Sequence, residues 1–266
     1  MAPDTLSLAG KTAIITGSGR ENGIGAAIAR ALARNGANVV INYVSPSSAA
    51  RAEKVKSSLE PLGAKVLVVQ ADVSTPQGAA KLVKDTLDGF ATDTIDILVN
   101  NAGSGGGQGT IFLDLKPEEV HSAFANNTFS TIYVTQAAVP YMPRGGRIVN
   151  VGSIVSRLST LPGVSVYGAS KAAQEFLTRA LATEFGASKG ITVNTVAPGP
   201  TVTDATGWYP DNEMKPDLVA KMAGASKADR MAGTAEEIAD AVLLVVSEQA
   251  RWITGQYVAA SGGMTD

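Results

Sequence analysis

Tyr167 and Lys171 stand four residues apart in Tyr167-Gly-Ala-Ser-Lys171, a segment that opens a long helical pattern. On a helix that spacing puts both side chains on one face, one above the other. A tyrosine hydroxyl ordinarily holds its proton far above neutral pH. An ammonium group alongside favours the phenolate, lowers the pKa, and makes Tyr167 a candidate general acid/base. Ser153 closes the preceding run, Arg147-Ile-Val-Asn-Val-Gly-Ser153, and can hydrogen-bond the same reacting oxygen. That run is apolar and β-branched and breaks at Gly152, as a buried strand ending at a sheet edge does. A Tyr-x-x-x-Lys spacing is weakly specific by itself, so the elements upstream decide its meaning.

Lys11-Thr-Ala-Ile-Ile-Thr-Gly17 reads as a buried strand. It runs into Gly17-Ser-Gly-Arg-Glu-Asn-Gly23-Ile-Gly25 and then into the helical pattern Ala26–Arg34. A strand, a glycine-rich turn and a helix form a dinucleotide-pyrophosphate site. Glycines let the backbone approach the phosphates, and the helix N-terminus supplies free N–H groups. The plain alternative is an ordinary strand-to-helix turn. Gly10-Lys11-Thr12 imitates the end of a P-loop, but Thr5 stands where its first glycine belongs, and the strand follows instead of preceding it.

Asn38–Tyr43 reads as a second buried strand. Its end carries Asn42, Tyr43, Ser45, Ser47 and Ser48 in place of the acid that grips the ribose hydroxyls in NAD-binding folds. No carboxylate there repels a 2′-phosphate, and Arg20 or Arg51 can attract one, which favours NADP(H). The serines also read as caps for a helix reaching about Leu62. Lys65–Val73 is a third strand, with Ser74 or Thr75 capping a helix to about Phe90. Ile95–Gly103 is a fourth. Strands alternating with helices imply a parallel sheet covered on both faces, with ligands beyond the carboxyl ends of its strands. Gly17, Asp72, Asn100 and Ser153 all fall at that edge.

Pro117, Glu118 and Glu119 open a helix running to about Ala138. His121 reads as a surface or packing residue. Asn126 and Asn127 are poor mid-helix choices, a local conflict that points to a role. Ile191–Ala197 is a further strand ending in Pro198-Gly199, and Thr234-Ala-Glu-Glu237 is a capping box for a helix through Val246. Trp252–Ala259 reads as the final strand. Between Asp204 and Gly233 the pattern weakens around Trp208, Tyr209 and Met214, as in a substrate loop over about 200–233 that takes an apolar ligand.

The 266 residues suffice for one large α/β domain, with 45% apolar and 17% charged content. A net charge of -2, with no Lys/Arg cluster, argues against a nucleic-acid surface. There is no cysteine, which excludes disulfides and thiol catalysis and fits a reducing, cytoplasmic compartment. With His121 the only histidine, no metal site is expected. The N-terminus lacks a signal-peptide pattern, and no apolar run approaches the ~20 residues of a membrane span.

In this order and spacing, Thr16-Gly17…Gly23-Ile-Gly25, Asp72-Val73, Asn100-Asn101-Ala102-Gly103, Ser153, Tyr167-x-x-x-Lys171 and Pro198-Gly199 carry a resemblance. From about Leu8 to Gly263 the chain resembles the short-chain dehydrogenase/reductase family. It is nearest to NADP-dependent ketoreductases of the tetrahydroxynaphthalene reductase and 3-oxoacyl-carrier-protein reductase type. The resemblance implies a single Rossmann-type, doubly wound α/β domain over 1–266 and hydride transfer between nicotinamide and a ketone or secondary alcohol. Tyr167 is then the proton donor, Ser153 polarises the substrate oxygen, Lys171 binds the nicotinamide ribose, and Asn127 holds the water of a proton relay. Cofactor contacts are implied for Gly17, Arg20, Gly23, Ile24, Asn42, Tyr43, Ser45, Asp72, Val73, Asn100, Ala102, Gly103, Tyr167, Lys171, Pro198, Gly199, Val202 and Thr203. A homotetramer or homodimer is implied as well.

Two features depart from the family pattern. Glu21-Asn22 are an insert in the glycine turn, and Ser130 stands where glycine is usual. The substrate reading is an apolar, polyketide-like or phenolic ketone, with β-ketoacyl reduction as the alternative. A non-catalytic NADP(H)-binding subunit competes but leaves an intact Ser–Tyr–Lys set idle. A Ser–Lys hydrolase leaves the glycine turn unexplained.

Overall fold

The computed structural model describes residues 6–105, 109–158, 162–204, 226–228 and 232–265. Seven strands form one parallel sheet: β1 (Thr12–Ile15), β2 (Asn38–Tyr43), β3 (Val66–Gln70), β4 (Ile97–Asn100), β5 (Arg147–Val151), β6 (Thr192–Pro198) and β9 (Tyr257–Ala260). Their spatial order is β3-β2-β1-β4-β5-β6-β9. The short strands β7 (Thr201–Val202) and β8 (Gly233–Thr234) pair separately. The helices are α1 (Ile24–Arg34), α2 (Ala49–Leu59), α3 (Pro76–Phe90), α4 (Pro117–Phe124), α5 (Ser130–Ala138), α6 (Ser165–Lys189) and α7 (Ala235–Val246).

The central strands are buried on both faces because most of their residues are apolar, and their two-residue period sends alternate side chains to opposite sides. Ile15, Val39, Ile41, Ile97, Val99 and Val149 pack with α1, α2 and α7. Their neighbours Ile14, Val40, Leu98 and Ile148 pack with α3 and α5 on the other face. Each such Ile or Leu contributes about 1.5–3 kcal/mol of burial. The chain winds outward from β1 in both directions, so the strand order reverses between β1 and β4. In open parallel sheets ligands bind beyond the carboxyl ends of the strands at such a reversal.

Local signals fix most boundaries. Thr75 caps α3 by accepting from the Gly78 N–H at 3.1 Å. The Thr234–Glu237 capping box forms in both directions. Other expectations need correction. Ser45 and Ser48 make no side-chain cap for α2; the Ser45 hydroxyl bonds the hydroxyls of Ser47 and Ser48 instead. The final strand begins at Tyr257, not Trp252, because Gly255 turns the chain at φ 70° and Trp252 is 95% exposed. The expected helix from Pro117 to Ala138 is interrupted by a π-helical turn, Ala125–Phe129. Most of the expected substrate loop lies outside the described residues. Among the described residues no helix is long and apolar enough to cross a membrane.

Candidate active site

The turn after β1 is a cradle built around absent side chains. Gly17 sits at φ 64°, and a Cβ there would stand 2.9 Å from the Ala102 Cα. A Cβ on Gly19 would meet Tyr43 Cβ at 2.9 Å, and one on Gly25 would meet Asn101 Nδ2 at 2.5 Å. The buried Asn42 braces the turn: its Oδ1 accepts from the Gly17 N–H at 3.0 Å, and its Nδ2 donates to the Ala71 carbonyl at 3.0 Å. Asn101 Nδ2 donates to the carbonyls of Thr16 at 2.8 Å and Gly17 at 3.2 Å. Helix α1 then begins at Gly23 with no side-chain cap and no acid in its first turn. Its uncapped N–H groups and the bare backbone before them fit a pyrophosphate. Gly25→Ala pushes Asn101 off the turn and is expected to weaken NADPH binding by about tenfold or more, read by nicotinamide fluorescence. An unchanged affinity would remove the cradle from cofactor binding.

The inserted pair has a structural role. Glu21 takes an ion pair from Arg51 Nε at 2.8 Å, and its backbone carbonyl accepts both terminal nitrogens of Arg30 at 3.2 Å. Asn22 Nδ2 donates to Asp204 Oδ1 at 3.2 Å, and Arg51 also pairs with Asp204. The insert thus ties the glycine turn to α2 and to the segment after β7. Arg51, expected as a 2′-phosphate ligand, is engaged by two carboxylates. Arg20 is exposed and, among the described residues, makes no ion pair, so its guanidinium is available to a ligand.

Ser153 follows β5 and is buried. Its Oγ accepts from the Val155 N–H at 3.2 Å, so its own proton is available to another acceptor. Tyr167 lies in the first turn of α6, beside Ser153. One turn on, Lys171 is 4% exposed; its Nζ donates to the Val151 carbonyl at 2.8 Å and to Gln174 Oε1 at 3.2 Å. Burial without a carboxylate partner lowers its pKa from 10.5 to about 8. The expected lowering at Tyr167 is reversed: burial raises the phenol above its ordinary range, and the neighbouring Ser153 hydroxyl only partly opposes this. Tyr167 is therefore a protonated donor at neutral pH.

Asn127 occupies the π turn. Its Oδ1 accepts from the Ser104 N–H and its Nδ2 donates to the Ser104 carbonyl, each at 3.0 Å. Nδ2 also reaches Ser170 Oγ at 3.0 Å, which in turn donates to the Tyr167 carbonyl at 2.8 Å. A Cβ on Gly103 would stand 2.7 Å from Asn127 Oδ1 and 3.4 Å from Lys171 Nζ. Glycine there lets Asn127 and Lys171 converge beneath the strand end.

These features have known counterparts. The family described as enoyl-(acyl carrier protein) reductase matches residues 17–265. The short chain dehydrogenase asqE of Emericella nidulans is 37% identical over 274 residues, covering 98% of this chain and 96% of that protein. The chain is a short-chain dehydrogenase/reductase. Tetrahydroxynaphthalene reductase PfmaG of Pestalotiopsis fici is 35% identical, covering 96% of this chain and 91% of its own. A Burkholderia cenocepacia short chain dehydrogenase, solved in complex with NADP, superposes with a TM-score of 0.86 at 36% identity. That match covers 97% of this chain and 98% of the other.

In this short-chain dehydrogenase/reductase the expected residues spread along one sheet edge. Ile24 opens α1, Tyr43 ends β2 with Ser45 in the turn beyond it, and Ala102 abuts Gly17. Asp72 turns its carboxylate onto Ser74, whose N–H donates at 3.0 Å and hydroxyl at 2.7 Å, while Val73 beside it is buried. Asn100 points its amide into the sheet, toward Asn150 Oδ1 at 2.9 Å and Thr135 Oγ1 at 3.2 Å. Pro198 ends β6, Gly199 N–H donates to the Ala260 carbonyl at 2.9 Å, Val202 ends β7 and Thr203 follows it. Ser130, where glycine is usual, donates to the Asn126 carbonyl at 2.6 Å and closes the π turn.

Sequence reasoning passed over Asn101, Thr131, Gln174 and Glu175. A signal existed for the last two. The inward face of α6 carries Ser170, Lys171, Gln174, Glu175 and Thr178, a polar stripe where an apolar one is the rule.

Proposed function

We propose that this chain is an NADP(H)-dependent ketoreductase that reduces an apolar, polyketide-like or phenolic ketone to a secondary alcohol. The observation that carries the reading is the meeting of Ser153, Tyr167 and Lys171 beside the glycine cradle at one edge of the sheet. Gly17, Gly23 and the α1 N-terminus would hold the pyrophosphate. Tyr43, Ser45 and Arg20, with no acid among them, would take the 2′-phosphate. Val202 and Thr203 would face the carboxamide. When bound, the cofactor supplies or accepts the hydride. Ser153 Oγ, held by Val155, donates to the substrate oxygen, and Tyr167 Oη delivers the proton to it. Lys171 offers its remaining N–H to the ribose, and Asn127 anchors the floor beneath. The name of PfmaG, a tetrahydroxynaphthalene reductase, supports the phenolic substrate class.

We also place the protein in the cytoplasm, as a homotetramer or homodimer. The exposed Trp252, Ile253, Leu244 and Phe176 support self-association. The test of function is NADPH oxidation against hydroxynaphthalenones, diketones, β-ketoacyl thioesters, steroids and sugars. Turnover is expected with the phenolic ketones. A preference for NADH would overturn the cofactor assignment. Tight NADPH binding with no turnover on any ketone would leave a binding protein.

A further inference from the structure

Lys171 is a buried cation with no acid against it among the described residues. Of its three N–H groups, two are committed, to the Val151 carbonyl at 2.8 Å and Gln174 Oε1 at 3.2 Å. Gln174 lies one turn further along α6 and has no exposed surface. Its amide Nε2 donates to Thr131 Oγ1 on α5 at 2.8 Å, and Thr131 donates to the Asn127 carbonyl at 3.3 Å. Every bond in this chain donates in one direction, from the ammonium outward to the π turn. The direction is fixed chemically: a flipped Gln174 amide would set its NH₂ against the ammonium.

We propose that Gln174 is a positioning residue that holds the Lys171 ammonium and couples it, through Thr131, to the Asn127 carbonyl. This rests on the acid–base reading of Tyr167 and Lys171. With two N–H groups anchored, the third is left for the ribose side of the site. The same chain pins α5 and the π turn to α6, so Lys171 and Asn127 move as one unit. The titratable groups beside Lys171 on α6 are Tyr167, which is neutral, and Glu175. Glu175 turns away to Arg157 at 2.8 Å and Arg179 at 2.9 Å. The contacts from β5, α5 and the π turn are the neutral Val151 carbonyl, Thr131 and Asn127. A carboxylate at 174 would therefore be the only acid against the ammonium.

The test uses Gln174→Met, Gln174→Glu, Thr131→Val and the Gln174→Met/Thr131→Val double variant, with Tyr167→Phe alongside. Gln174→Met removes both bonds and is expected to lower kcat by about tenfold or more, with NADPH affinity by fluorescence changing less. Thr131→Val cuts only the far link, so it lowers kcat by a smaller factor, and the double variant is no worse than Gln174→Met alone. Gln174→Glu keeps the acceptor but adds a negative charge on the same face of α6 that disfavours the Tyr167 phenolate. The alkaline rise of alcohol oxidation then moves up by about one pH unit. Wild-type kcat and pH profiles in both Gln174 variants, with only a lower Tm, would reduce the residue to packing and overturn the proposal. Turnover surviving in Tyr167→Phe would instead overturn the acid–base reading itself.

Discussion

Tyr167→Phe lowers ketone reduction by about 10²–10⁴-fold, the usual contribution of a positioned general acid. The change removes one oxygen from a half-buried ring in the first turn of α6 and leaves the ring's packing in place. Ser153 keeps its bond from Val155, so the substrate oxygen loses its proton donor but not its other hydrogen bond. NADPH affinity and Tm are expected to stay near wild type, since the glycine cradle lies on β1 and α1. Stopped-flow or steady-state turnover with fluorescence titration separates the two. A variant that retains a tenth or more of wild-type kcat would transfer the acid's role to another group.

The same residue sets the pH response. Burial raises the Tyr167 pKa, so the phenol keeps its proton through neutrality and beyond. Reduction, which consumes that proton, is expected to stay level from pH 6 to 8, below the ordinary tyrosine range of about 10. Alcohol oxidation needs the phenolate as base and rises with pH over the same span. A reduction rate that falls steeply between pH 6 and 8 would contradict this assignment.

The sheet was legible because parallel strands buried on both faces are continuous apolar runs, and Asn38–Tyr43 stands in the structure with the expected bounds. The α7 capping box was equally plain, since its residues interact locally. What failed was tertiary. Trp252–Gln256 has strand-like composition, yet Gly255 adopts φ 70° and the Asn194 amide takes the Ile253 carbonyl at 2.8 Å. The ladder therefore starts only at Tyr257. A π turn inserts one residue into a helix and leaves the apolar pattern almost unchanged; only the misplaced Asn126-Asn127 marked it.

Asn42 showed a different limit. Its place at the end of β2 suggested a cofactor contact, but its amide is spent on Gly17 and Ala71, contacts 25 and 29 residues away in sequence. Arg51 likewise met Asp204 from 153 residues away. Charge type is readable from a sequence, whereas the partner that neutralises it depends on topology. The Tyr167–Lys171 pair was correctly placed on one helix face, yet its electrostatics came out reversed because spacing carries no measure of burial.

Lys171→Met is expected to abolish most turnover while raising stability at pH 7. Burial lowers the Lys171 pKa from 10.5 to about 8, a penalty of about 3 kcal/mol on the charged form in the folded state. Below pH 8 both folded and unfolded chains hold the proton, and the penalty is fully present. Between pH 8 and 10.5 the folded chain has released a proton that the unfolded chain still binds, so wild-type stability rises with pH across that window. Methionine fills a similar volume without charge. It forfeits the hydrogen bonds to Val151 and Gln174, which offsets part of the gain and leaves about 1 kcal/mol. For a chain of this length that is about 2–4 °C in Tm at pH 7, shrinking to nothing or reversing by pH 10.5. Thermal unfolding of both proteins at pH 7 and pH 10 measures it. A variant less stable than wild type at pH 7 would mean that the ammonium's hydrogen bonds outweigh its desolvation, and Lys171 would then be a structural cation as well as a functional one. The expected result has the opposite meaning: the fold keeps an uncompensated charge under Tyr167 at the expense of its own stability, and the chemistry at that edge of the sheet accounts for its presence.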